Sequence, residues 1–264
     1  MPKIDFLSVG RALFVPPLLI IRGLGWLLRS ARNRKRFAIG LVCALVAGVG
    51  IAELTLEHRH LPWRPLAIDD QVGIATGFKL RLIDWAPASW CRDLLGTSAQ
   101  LEVRRLDPLD GQGSCGWSDA FHIEKSGVRD LNGTSHYAMQ CTLAAGAHLW
   151  ITSADAHARR LLGSGLVRIH HYGTYSCRRM YNRKRGKMSE HAFANAWDVS
   201  GFELEDGRII SVLKDWQPRG TRRSFLRAVH RDACRAFNVV LGPNYNDAHR
   251  DHFHVDMSNG ASCR

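Results

Sequence analysis

One long apolar run, over residues 37–54, dominates the hydrophobic pattern near the start of the chain. It contains no charged residue until Glu53, and a spanning helix needs about 20 mostly apolar residues. The basic stretch at residues 29–36 comes directly before it, and basic flanks stay on the cytoplasmic side of a membrane. The pattern therefore predicts a transmembrane anchor over residues 37–56, with the following residues outside. A cleaved signal peptide is the alternative, although no small-x-small cleavage site follows and the preceding basic region is long.

A second apolar patch, residues 12–21, is short and is interrupted by Pro16 and Pro17. Arg11 and Arg22 flank this patch, and basic residues are attracted to anionic lipid. We predict that residues 1–36 form a cytoplasmic basic segment whose patch lies on the inner leaflet. Entry of residues 12–28 into the membrane as a second span is the alternative.

Beyond the anchor, helical and strand periods are mixed without repeating βαβ units. Residues 57–80 contain Pro and charged residues, and we predict that they link the anchor to one domain, 81–264. Helical spacing covers Thr142–Leu162, which stops at Gly163, and Ser224–Phe237. Strands are predicted at Leu101–Arg105, Val167–Tyr172 and His252–Asp256, and in a hairpin that joins Ala196–Leu204 to Arg208–Leu213 through Asp206-Gly207. The predicted fold class is α+β, with a small antiparallel sheet and flanking helices.

The positive charge of the chain is concentrated beside the anchor. The 264 residues carry a formal net charge of +12. Residues 1–36 hold eight Lys and Arg against one Asp, whereas the remaining chain holds 28 basic and 23 acidic residues. A nearly balanced exported domain gives no electrostatic reason to expect nucleic-acid binding, so we predict no nucleic-acid partner.

Cysteine usage predicts an oxidising compartment. Cys43 lies within the anchor, and six cysteines follow it: Cys91, Cys115, Cys141, Cys177, Cys234 and Cys263. Disulfides persist outside the cytosol, so up to three bridges in a periplasmic domain are expected. Six cysteines allow 15 pairings, and the sequence does not choose among them. A four-cysteine zinc site is the competing interpretation, but no Cys-x-x-Cys pair is present.

Candidate chemistry is concentrated in two segments near the C-terminus. His191 and Asp198 are seven residues apart, and a His- and Asp-rich cluster covers residues 249–256. Catalytic zinc takes three protein ligands and leaves one position for water. If residues 252–256 form a strand, His252 and His254 point to the same face. Two imidazoles and a carboxylate could then meet at one metal site, although such pairs also arise by chance or in satisfied cores.

The exported domain resembles the bacterial extensin-like C-terminal domain family from about Cys91 to Cys263. The matching segments are Tyr175–Arg178, Ser189–Ala192, Asp198–Phe202, Asp215-Trp216, Phe225–Arg227, Ala233-Cys234, Val240–Pro243 and His249–Asp256. The chain has no Ser-Pro-rich repeats, so the family's name does not itself indicate a function.

The same segments are similar to the zinc peptidases grouped with D-Ala-D-Ala carboxypeptidases, lysostaphin-type enzymes and hedgehog domains. Their first motif is Ser-x-His-x-x-Gly-x-Ala-x-Asp, and Ser189, His191, Ala196 and Asp198 match it in register. Ala194 stands in place of the usual Gly. The resemblance implies that His191, Asp198 and His254 are zinc ligands.

The resemblance leaves the general base open. D-Ala-D-Ala peptidases carry a Glu three residues before the last ligand, where this chain has Asp251. Murein endopeptidases carry His-x-x-His-x-His, which His249, His252 and His254 reproduce. Arg178 is the counterpart of an Arg in related dipeptidases and would hold a substrate carboxylate or a developing oxyanion. A carboxylate such as Asp256 could orient a ligand histidine.

These observations lead to two expectations of different classes. The first is a single-pass inner-membrane protein with a periplasmic zinc peptidase domain, of D-Ala-D-Ala carboxypeptidase or murein endopeptidase type, which acts on peptidoglycan peptides. The second is a non-catalytic wall-binding or envelope-organising module that keeps the fold. An open coordination position beside a base would favour the enzyme, whereas a fourth protein ligand would favour the module.

Overall fold

The computed structural model describes residues 31–111, 113–127 and 137–264, and it divides into two units at Leu56. The predicted surface segment 12–21 lies outside the described residues. In the first unit, α1 (Ala31–Thr55) is the one described helix that is long and apolar enough to cross a membrane. Within its candidate span, Arg32–Thr55, the most apolar 18-residue window has a mean hydropathy of 2.3. This helix is compatible with a membrane anchor or with a signal sequence.

The second unit, residues 57–264, is a mixed α+β domain with small, mainly antiparallel sheets. Its helices are α2 (Thr76–Trp85), α3 (Ala88–Gly96), α4 (Cys141–Leu162), α5 (Val212–Asp215) and α6 (Thr221–Ala236). Its strands are β1 (Leu101–Leu106), β2 (Leu109–Asp110), β3 (Gly116–Trp117), β4 (Ala120–Ser126), β5 (Met139–Gln140), β6 (Leu166–Gly173), β7 (Ala196–Leu204), β8 (Ile209–Ser211), β9 (Val239–Leu241), β10 (Phe253–Asp256) and β11 (Ser262–Cys263).

The largest sheet carries the predicted chemistry. Its strands are ordered β11-β9-β10-β7-β6, with β8 paired to β7. All of these pairs are antiparallel except β11 with β9. A three-stranded antiparallel sheet, β1-β4-β5, and the β2–β3 hairpin complete the domain.

Helix α4 runs through the centre of the domain and is buried along most of its length. It packs against α6, and also against α2, α3 and β4. Trp150 has ring centroids of Trp197, Phe202 and Phe237 within 6.0 Å, and its indole N–H donates to the Val229 carbonyl oxygen at 2.8 Å. Paired indole and phenyl rings in edge-to-face contact stabilise a core beyond the area that they bury.

Several predicted elements are confirmed with small shifts at their ends. Helix α4 stops where predicted, because Gly163 adopts φ 73°, a left-handed conformation that ends helices. The hairpin turns at Asp206-Gly207 as expected. Its second arm, however, ends at Ser211 rather than Leu213. The Asp215 carboxylate accepts the Ser211 backbone N–H at 2.8 Å, and the chain turns into α5 there.

The segment predicted as a linker, residues 57–80, instead belongs to the domain. Leu61, Ile68, Val72 and Leu80 are buried, and the last three join the main core. The compact unit accordingly begins at Glu57. Pro and charged residues indicated a linker, but the spaced apolar residues between them fill the core beside α4.

The six cysteines after α1 form three disulfides: Cys91–Cys141, Cys115–Cys177 and Cys234–Cys263. They join α3 to α4, the β2–β3 region to the loop after β6, and α6 to the C-terminal strand β11. The competing four-cysteine zinc site is therefore wrong, because no thiolate remains among these six to bind a metal. Disulfides of this kind indicate an oxidising compartment.

His171 gives the domain a pH-dependent stability. Its ring lies 4.6 Å from the Tyr137 ring centroid, and neither ring nitrogen has a hydrogen-bond partner. Burial, assisted by nearby His170, lowers the pKa of His171 to about 4. The unfolded chain therefore takes up a proton near its ordinary pKa of 6.5, whereas the folded domain does not.

We expect folding stability to fall as the pH drops from about 6.5 towards 4, with His171 as one contributor. His171→Phe, which keeps an aromatic ring, should reduce this loss. Urea unfolding at pH 7 and pH 5 measures it, with half-buried His122→Phe as the control. Equal pH dependence in the parent and His171→Phe would contradict the assignment.

Candidate metal centre

The register between β7 and β10 places two of the predicted ligands side by side. Asp198 of β7 lies directly opposite His254 of β10. Directly opposed residues in an antiparallel pair have their Cβ atoms about 5 Å apart and share one face. Because side chains alternate along a strand, the flanking residues Phe253 and Val255 point to the opposite face of the sheet, where they are buried. The alternation of β10 therefore aims His254 at Asp198.

The third predicted ligand, His191, comes from the 3₁₀ turn Glu190–Phe193 that precedes β7. That turn ends at Ala194, which adopts φ 54°. A left-handed backbone favours Gly, and a Cβ there costs about 1–2 kcal/mol. Position 194 is therefore one at which the backbone requires a conformation that glycine adopts most easily. The methyl group of Ala194 is accommodated in a small buried cluster with Ala120 and Ala138.

The three side chains converge on one point. Asp198 Oδ2 lies 3.1 Å from His191 Nε2, and Asp198 Oδ1 lies 2.8 Å from His254 Nδ1. The two histidine nitrogens are 3.3 Å apart. Ligand atoms about 2.0–2.1 Å from a tetrahedral zinc ion stand about 3.3 Å from one another. The separations are thus close to those of a zinc ligand set.

Hydrogen bonds on the far side of each imidazole fix which nitrogen faces this point. His191 Nδ1 lies 3.2 Å from the Thr174 carbonyl oxygen, which can only accept, so Nδ1 carries the proton. His254 Nε2 lies 3.0 Å from Asp256 Oδ2. Neutral His191 therefore aims a bare Nε2 lone pair at Asp198, and His254 does the same through Nδ1 when its Nε2–H donates to Asp256. Such outer partners are typical of metal-binding histidines, and the donor set fits zinc.

Without a metal ion, a proton on His254 compensates the buried negative charge of Asp198. Burial by itself would raise the pKa of Asp198, but hydrogen bonds with His191 and His254 hold that pKa far below its usual value. Burial lowers the pKa of His254, yet bonds with Asp198 and Asp256 outweigh it and raise that pKa to about 9. The metal-free cluster therefore favours a proton on His254.

His252 lies beside this cluster and has an orienting partner of its own. Its Nδ1 is 2.9 Å from Asp251 Oδ1, and Asp251 Oδ2 accepts the Tyr172 hydroxyl at 3.1 Å. The remaining nitrogen, Nε2, is 3.6 Å from Asp198 Oδ1. Burial would raise the pKa of Asp251, but hydrogen bonds with His252 and Tyr172 lower it. Both Asp251 oxygens are thus engaged in positioning His252.

His249 lies next to His252 at the edge of the cluster. Its Nδ1 is 2.7 Å from Asn246 Oδ1, and its ring centroid is 5.3 Å from that of His252. Burial, followed by the neighbouring His254 and His252, lowers the pKa of His249 to about 4. At neutral pH the His249 ring is therefore uncharged.

A cleft of about 730 Å³ opens over the cluster. The three candidate ligands line it together with His249, His252 and Arg178. One wall is a hairpin over residues 178–188, closed by an Arg179–Met188 bridge. This hairpin is rich in basic residues and contributes Arg178, Met180 and Lys187 to the cleft.

Every residue that the sequence analysis singled out for chemistry lies in or beside this cleft. His191, Asp198 and His254 meet as the candidate ligands, while Arg178, His249 and His252 line the walls. Asp251 is not in the lining and reaches the site through His252. Sequence reasoning missed Tyr172 and the Thr174 carbonyl. Alternation along β6 could have placed Tyr172 near β7, but a backbone carbonyl leaves no sequence signal.

The family model described as "Extensin-like protein C-terminus" matches residues 89–264. The chain belongs to this family. The matched range contains every residue of the cleft and begins within α3, so residues 57–88 precede it. No curated protein and no solved structure matches the extensin-like chain.

We expect Asp256→Asn to weaken zinc binding by about 10–100-fold, because His254 loses its charged outer partner. Competition with a chelating dye measures the dissociation constant. Glu190→Gln is the control, since Glu190 is another cleft carboxylate but bonds to Asn195 rather than to a histidine. Equal affinities for both variants would show that Asp256 does not support the metal site.

Proposed function

We propose that this chain is a membrane-anchored periplasmic zinc-dependent peptidase that hydrolyses peptidoglycan stem peptides or cross-links. The observation that carries the proposal is the convergence of His191, Asp198 and His254 on one point of a substrate-sized cleft. The similarity of residues 189–198 to the first motif of the D-Ala-D-Ala zinc peptidases supports the same assignment.

The ligand count favours a catalytic site over a closed structural one. Three donor groups form the cluster within the described residues, and catalytic zinc typically has three protein ligands and an open position. His252 is the nearest further candidate. Its Nδ1 is held by Asp251, and its Nε2 stands 3.6 Å from Asp198 Oδ1. Nε2 of His252 is therefore suited to act as general base on a water molecule at the open coordination position of zinc.

A bound zinc ion would supply Lewis acidity that activates water and polarises a peptide carbonyl. The Nε2 lone pair of His252 would accept the proton of the attacking water and deliver it to the leaving amine. Asp251 would hold the ring in the required tautomer and stabilise the imidazolium, with Tyr172 fixing Asp251 in turn. Because the Asp251 carboxylate is already bonded to His252 and Tyr172, Asp251 is a positioning residue in this proposal and His252 is the base.

Arg178 and the hairpin 178–188 suit an anionic peptide substrate. Arg178 lines the cleft, and the nearby Glu190 carboxylate pairs with Lys187 instead. A guanidinium binds a carboxylate through two parallel hydrogen bonds, and peptidoglycan stem peptides carry free carboxylates. The three disulfides support an oxidising compartment such as the periplasm, and α1 would hold the domain at the inner membrane.

The test of the base compares His252→Gln with the parent on purified sacculi, with released fragments identified by mass spectrometry. We expect kcat to fall by about 10²–10⁴-fold while zinc content stays near one per chain. His191→Ala should instead lose the zinc. His122→Gln, away from the cleft, should leave both values unchanged.

Three outcomes would count against the proposal. Absence of zinc binding by the parent would overturn the metal site. Full activity of His252→Gln would remove His252 as the base. Zinc-loaded parent that releases no fragment from sacculi, yet sediments with them, would replace the peptidase with the wall-binding module.

A further inference from the structure

Helix α2 presents apolar residues on two opposite faces. Leu80 is fully buried and Ile83 packs against the core. On the other side, Phe78, Leu82 and Trp85 are 54%, 45% and 71% exposed. Spacings of four and three residues put these three on one stripe of a helix. Ile74, in the turn two residues before α2, is also exposed, at 72%.

Exposed tryptophans are concentrated in the same part of the domain. Among the described residues, Trp63, Trp85 and Trp90 are exposed, whereas Trp150, Trp197 and Trp216 are buried. All three exposed tryptophans fall within the 35 residues that follow Thr55, the end of α1. Residues 57–88 also precede the range matched by the family model.

We propose that Ile74, Phe78, Leu82 and Trp85, the outer stripe, dock on the lipid surface of the membrane that α1 crosses. Tryptophan is enriched at membrane–water interfaces, where its apolar ring and N–H are both accommodated. The covalent connection to α1 keeps the domain tethered within reach of that surface. This inference rests on the proposed anchoring of α1 and is independent of the peptidase activity.

The charges near the outer stripe indicate that docking is driven by apolar burial and not by anionic lipid. Arg59 pairs with Glu57 at 2.7 Å, and Arg92 pairs with Asp119 at 3.1 Å. The Arg81 guanidinium donates to Asn238 at 2.8 Å. Because carboxylates compensate two of these three cations, Arg59 and Arg92, we expect binding to change little with salt or with the anionic lipid content of the vesicles.

The experiment uses the full chain with a protease site inserted after Leu56, reconstituted in phosphatidylethanolamine–phosphatidylcholine vesicles. Cleavage severs the domain from α1, and sedimentation then measures how much domain stays with the vesicles. The parent domain should stay bound. Phe78→Ser with Leu82→Ser should lower its partition coefficient by about tenfold or more, because two half-exposed apolar side chains are lost from the interface.

The control pair is Ile209→Ser with Leu213→Ser, whose parent residues are 51% and 53% exposed elsewhere on the domain. These residues are about as exposed as Phe78 and Leu82. If this variant stays with the vesicles after cleavage, the effect depends on the outer stripe and not on the loss of any two exposed apolar side chains. Thermal unfolding of both variants checks that the fold is kept. Alkaline carbonate extraction of the uncleaved chain tests the anchor separately.

Release of the parent domain on cleavage would overturn the docking proposal, whether or not carbonate leaves the uncleaved chain in the membrane. Equal retention of both paired variants would overturn it too. Binding that requires phosphatidylglycerol and is lost in salt would assign the contact to charge instead. Self-association of the domain without vesicles, abolished by Phe78→Ser with Leu82→Ser, would assign the outer stripe to a second copy.

Discussion

The antiparallel register of β7 and β10 is the constraint on which the site depends. It sets Asp198 opposite His254 and, through the two-residue period of β10, puts Asp256 on the same side as His254. A shift of one residue would send His254 to the buried face, where Phe253 and Val255 now pack. The apolar residues of these strands therefore fix the position of the ligands, because burying them selects a single register.

Burying a carboxylate between two imidazoles is costly unless a positive charge compensates it. In the metal-free domain that charge is a proton on His254, held between Asp198 and Asp256. The same arrangement positions the imidazole for a metal ion. The outer hydrogen bonds of His191 and His254 thus serve both states, since they orient the rings whichever cation is present.

Much of this organisation could be predicted from the sequence. Periodicity located α4 and the hairpin at Asp206-Gly207, and the resemblance located the three candidate ligands. The role of residues 57–80 could not be predicted in this way, because widely spaced apolar residues among Pro and charges give no period. The disulfide pairing was also open, since it depends on which helices and loops meet in three dimensions.

The arrangement around His252 separates alternatives that sequence spacing left equivalent. The expected resemblance to zinc peptidases put both Asp251 and His252 in a candidate base position, so spacing alone ranks them equally. Both oxygens of Asp251 are engaged, one by His252 and one by Tyr172 from β6. A carboxylate with a lowered pKa and two partners is a poor proton acceptor, whereas it is well suited to orient an imidazole. Tyr172 can be that second partner only because β6 lies beside β7 in the sheet. Which strands are neighbours in a sheet cannot be predicted from the local sequence.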